Sequence, residues 1–117
     1  MHHWVFLLLL PFISLSAEEA PPLTPQEACA QEIEKMDKQI EKLQSQKKQH
    51  LDLAQQYQTK GDQWQYNTGR IEDAYYWWGK ANDERRKAIN IQSQIDLMNE
   101  RKARIYQFYP ELYQRDL

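Results

Sequence analysis

The chain has 117 residues, with 15 Lys and Arg against 17 Asp and Glu and a formal charge of −2. That length allows one small domain, and the near-neutral balance argues against nucleic acid or a strongly anionic membrane as a partner. Three glycines, no run of β-branched residues and 15 glutamines among many Lys, Glu, Ala and Leu exclude a sheet-rich fold and favour helix.

An apolar run from Trp4 to Leu15 comes first. A helix that spans a bilayer takes roughly 20 apolar residues, so this run is too short. It reads as the core of a secretory signal peptide over residues 1–17, with small residues placing cleavage after Ser16 or Ala17. Met1-His2-His3 carries no Lys or Arg, which leaves an uncleaved N-terminal anchor as the alternative. A periplasmic or secreted protein is expected. Every Lys, Arg, Asp and Glu lies after residue 17, so the mature chain keeps the charge of −2.

Residues 18–23 form a leader that Pro21 and Pro22 hold extended. Thr24-Pro25-Gln26-Glu27 then starts a helix: Thr24 is placed to accept from the Glu27 amide, Glu27 to reach back, and Pro25 sits where its missing N–H costs nothing. Two places could end that helix, Gly61-Asp62 and Asn67-Thr68-Gly69. The second is chosen, giving helices over about 25–66 and 70–108 within a hairpin domain of 24–109, with a kink near Gly61 allowed. Thr68 is the expected N-cap of the second helix, and Glu72 and Asp73 fall in its first turn, where the dipole favours acids. Pro110 ends it. Residues 110–117 form an aromatic tail that returns to the mouth of the hairpin beside Cys29, to cap it or to dock a partner.

The seam decides between the two turns. The first helix carries Cys29, Ile33, Met36, Ile40, Leu43, Lys47, His50, Ala54, Tyr57, Gly61 and Trp64 at alternating steps of three and four. The second carries Ala74, Trp77, Ala81, Glu84, Ala88, Ile91, Ile95, Met98, Lys102, Ile105 and Tyr109 in the same rhythm. Residues equidistant from Gly69 face one another when the chain folds back there. Large then meets small near the turn: Trp64 with Ala74, Gly61 with Trp77, Tyr57 with Ala81, His50 with Ala88. Farther out the layers are aliphatic, such as Leu43/Ile95 and Ile33/Ile105, while Lys47, Glu84 and Lys102 add polar ones. The fold class is therefore all-α, a long antiparallel two-helix coiled-coil hairpin.

A two-helix hairpin has little interior, and chains of this size without disulfides or metal often gain stability by association. Tyr75, Tyr76 and Trp78 lie beside the seam and offer more aromatic surface than one helix covers. Association into a helical bundle, a homodimer first, is the expected assembly. Binding to another exported protein is the other option. The candidate partner-binding surface is Tyr75, Tyr76, Trp77 and Trp78, with Phe108, Tyr109 and Tyr113 at the far end. The lone Cys29 has no internal partner and is the candidate for an intermolecular disulfide.

Nothing in the sequence builds a catalytic, cofactor or metal site. His50 is the only His after residue 3, and Cys29 lies 21 residues from it on one helix, which by helical rise is roughly 30 Å. The basic clusters Arg85-Arg86-Lys87 and Arg101-Lys102-Arg104 are diluted by Asp83, Glu84, Asp96 and Glu100 and read as solvated faces. A membrane surface ranks behind protein as a partner, because the seam is narrow and interrupted by charge. Gly69, Ala74, Trp78 and Ala81 resemble the second helix of a tetratricopeptide repeat over about 13 residues. The proline that should follow is replaced near Arg86, the first-helix signature does not align and there is no second copy, so the pattern is assigned to hairpin packing. The functional expectation is a small exported protein, not an enzyme, that acts by protein–protein binding. A periplasmic holdase-like chaperone or adaptor with an exposed Tyr/Trp surface is the alternative.

Overall fold

A computed structural model describes residues 21–115 of the chain. The apolar run of residues 4–15 and both cleavage positions lie outside the described residues. Among the described residues three helices follow in order: α1 (Pro25–Thr68), α2 (Ile71–Phe108) and a short α3 (Pro110–Arg115). No strand occurs among the described residues, and α1 and α2 pack against each other along their length as an antiparallel hairpin.

The start of α1 is fixed by Thr24, which is extended at φ −67°, ψ 156° and accepts from the Glu27 amide at 3.1 Å. Glu27 does reach back, but its carboxylate accepts from the Thr24 hydroxyl (2.9 Å) and not from the backbone N–H. The helix then runs unbroken through Gly61. It ends where Gly69 turns left-handed (φ 70°, ψ 8°) and donates its N–H to the Gln65 carbonyl. Thr68 is not the N-cap of α2. It is the last residue of α1, its hydroxyl donating to the Trp64 carbonyl at 2.6 Å and accepting from the Arg70 N–H at 3.2 Å. Arg70 occupies the N-cap without a side-chain cap bond, and its guanidinium pairs with Asp73 at 3.0 Å.

Every seam residue named from the sequence is buried or half-buried. The half toward the mouth is aliphatic: Ile40, Leu43, Ile91 and Ile95 cluster with Met98. The half toward the turn is built on small residues, Ala54, Gly61, Ala74, Ala81 and Ala88, which bring the helices close. Burial of each Leu or Ile contributes about 1.5–3 kcal/mol, so most of the stability sits toward the mouth. There the tail does cap the hairpin. Leu112 of α3 is 4% exposed and joins Ile33 and Met36, with Cys29, Ile105, Tyr106 and Tyr109 around them.

Candidate functional site

The candidate surface begins one turn into α2. Four consecutive aromatics on a helix point in four directions about 100° apart, so they cannot act as one face. Trp77 and Trp78 flank the seam on opposite sides, and both are half-buried. Trp78, expected outside the seam, is seated over Gly61: a Cβ on that glycine would lie 2.4 Å from the indole. Its Nε1–H donates to the Asp62 carboxylate at 3.0 Å, and Tyr75 meets it edge-on at 5.7 Å. The expected Gly61/Trp77 layer is thus corrected by one residue: the Trp78 indole fills the space above the glycine while Trp77 stacks on Tyr57.

Trp77 lies instead on the Tyr57 ring (5.8 Å, 28° between planes), with Tyr76 edge-on at 5.1 Å. Two cations sit on this three-ring group. The Lys60 ammonium is 4.4 Å from the Trp77 centroid, and that of Lys80 is 5.2 Å from Tyr76, 5.6 Å from Tyr57 and 5.7 Å from Trp77. A hydrogen bond with Tyr76 holds the Lys80 pKa above its ordinary value. Tyr75 and Tyr76 keep 64% and 58% of their surface exposed. Sequence reasoning missed Tyr66, 82% exposed on the last turn of α1. An aromatic outside the seam just before the turn was the available signal.

The other aromatic group is at the far end. Phe108 and Tyr113 are exposed, and Tyr106 and Tyr113 meet edge-on at 5.2 Å. Tyr109 is half-buried in the mouth cluster beside Cys29. The seven candidate residues therefore divide into two groups at opposite ends of the hairpin. In each, some aromatics are committed inward (Trp77, Trp78, Tyr109) and others face outward (Tyr75, Tyr76, Phe108, Tyr113).

Between these ends the seam carries one buried charge among the described residues, Glu84. Its carboxylate accepts from His50 Nδ1–H at 2.5 Å and from the Lys87 ammonium at 3.0 Å. The His50 hydrogen bond first, and Lys87 second, hold the Glu84 pKa below the ordinary carboxylate value. His50 thus turns from the expected Ala88 toward Glu84, since a buried carboxylate needs donors. The other polar seam residues also find partners: Lys47 donates to Gln92 at 2.7 Å, and Lys102 pairs with Asp37. The basic clusters are similarly engaged, Arg85 with Gln58 and Asn82, Arg86 with Asp83, and Arg101 with Glu32.

Among the described residues no helix is long and apolar enough to cross a membrane, and no group of three or more His, Cys, Asp or Glu is placed to hold a metal. No family model matches the chain, and neither a curated protein nor a solved structure matches it.

Proposed function

We propose that this chain is a small exported protein that works by binding protein, and first of all by self-association into a helical bundle. The observation that carries the reading is the outward aromatic surface at the turn, Tyr66, Tyr75 and Tyr76, on a hairpin too thin to bury it. The lone His after residue 3 supports a binding role over a catalytic one, being spent on Glu84 inside the seam. Export is supported by the apolar run of residues 4–15. Cys29, the candidate for a bond between copies, is half-buried beside Leu112 and Tyr109, so lifting α3 away would expose it further.

Sedimentation with Trp fluorescence tests this. A dimer or larger species that Tyr75→Ser/Tyr76→Ser converts to monomer is the expected result. A wild-type chain that stays monomeric at high concentration overturns it. The same exposed tyrosines support a second reading, a holdase-like chaperone or adaptor that keeps the surface free for clients. In that case the monomer suppresses aggregation of an unfolded protein, and the double Ser variant does not.

A further inference from the structure

The two halves of the seam are out of step across the turn. In α1 the buried positions Ile33, Ile40, Ala54 and Gly61 share one place in the seven-residue repeat, and Met36 and Leu43 share the other. In α2 the places are taken by Ala74, Ala81, Ala88 and Ile95, and by Glu84 and Ile91. Carried past residue 68 in an unbroken helix, the α1 stripe would run through Thr68, Ile71, Tyr75, Trp78, Asn82, Arg85, Ile89, Gln92, Asp96 and Asn99. The stripe α2 actually buries lies one residue earlier, about 100° around the helix.

A hairpin is indifferent to this offset, because Gly69 resets the direction of the chain. A straightened chain is not. Antiparallel coils often exchange halves when a short turn opens, and the exchanged pair keeps every contact of the closed form. Here the turn is short enough to invite that exchange, with only Gly69 and Arg70 between the helices. Yet two straightened chains cannot bury both halves of the seam at once. If the α1 halves face the partner in register, Asn82, Arg85, Gln92 and Asp96 enter the seam where Ala81, Glu84, Ile91 and Ile95 belong.

We infer that this one-residue offset commits each chain to a closed hairpin and blocks its exchange with a second copy, so that copies associate through outer faces only. The inference rests on the self-association reading for its last clause and stands without it for the first. The exposed apolar residues agree with it. Ile71, Tyr75 and Ile89 belong to the α1 continuation and are exposed, while Trp78, Arg85 and Gln92 of the same stripe meet α1 only at the flank of the seam.

The test alters phase at constant composition of the seam. In full-length chains with Cys29→Ser, one chain carries Leu43→Cys and another Ile95→Cys, two residues that share a core cluster. A disulfide between the two chains reports exchange, and a chain with both substitutions reports closure. Gly69→Ala removes the left-handed residue, with and without one Ala inserted between residues 69 and 70 to bring the stripes into phase. Without the insertion the bond forms within the chain. With it, bonds between chains become the main product, while circular dichroism shows the helix retained in both. Bonds between chains in the uninserted variant overturn the inference, and so does an insertion that changes nothing. A monomer that closes normally refutes self-association and leaves the closed-hairpin inference standing.

Discussion

The indole of Trp78 occupies the space that a side chain on Gly61 would need. A Cβ there would lie 2.4 Å from Cδ1 and from Nε1, with the Ala74 carbonyl at 3.1 Å. Replacing Gly by Ala in a helix interior normally gains about 1 kcal/mol. Overpacking costs about 1–3 kcal/mol, and displacing the ring also breaks its bond to Asp62. Gly61→Ala should therefore lower stability by about 1–2 kcal/mol, read as a drop in Tm of several degrees. An unchanged or raised Tm would place Trp78 elsewhere.

Gly79 makes the opposite case. A Cβ at this position meets nothing within 4 Å, and the residue is exposed in the interior of α2. Gly79→Ala should raise stability by about 0.5–1 kcal/mol in chemical denaturation with the slope unchanged. The pair of variants separates helix propensity from packing within one molecule.

The Glu84 carboxylate gives the hairpin a pH dependence with a definite sign. Its pKa is lower in the folded chain than its ordinary 4.5, through the His50 and Lys87 hydrogen bonds. Proton binding is therefore favoured in the unfolded chain, and the stabilisation is fully present above about 4.5 and lost as pH falls through the folded value. Thermal melts should show Tm falling across that acidic window. Glu84→Gln, which cannot titrate, should flatten the fall there. Equal slopes in the two proteins would assign the acid sensitivity to other carboxylates.

Leu112 links the tail to the hairpin. Leu112→Ala should remove the anchor of α3, at about 2 kcal/mol, the low end for a buried Leu, because a six-residue helix can lift off instead of leaving a void. The sharper readout is chemical. Cys29 shares that cluster, so its thiol should react faster with a disulfide reagent in the variant. An unchanged rate would mean that α3 does not shield it.

How far the sequence could be read follows from what each feature depends on. The seam was legible because a packed helix repeats its buried face every three or four residues, and Ile33, Leu43, Ala81 and Ile95 keep that rhythm without help from distant contacts. Which of Trp77 and Trp78 covers Gly61 was not. Both are tryptophans flanking one seam, so neither residue type nor period separates them, and the packing of each ring decides. The turn of His50 toward Glu84 could have been found by asking what satisfies a carboxylate in a seam of alanines. Leu112 gave no periodic signal, since six residues are too few to carry one. Lys60 and Lys80 gave no signal in the sequence, as cation–π contacts leave no mark on hydropathy.

The docking of α3 also sets the two ends of the hairpin apart. Thr24 and Leu112 border the same groove, so the start of α1 and the short α3 lie together at one end of the hairpin. The turn, carrying Tyr66, Tyr75 and Tyr76, stands at the other, roughly 60 Å away along helices of 38 to 44 residues. The hairpin is therefore lopsided along its length, with aliphatic layers and the docked α3 at one end and alanine layers with the exposed tyrosines at the other.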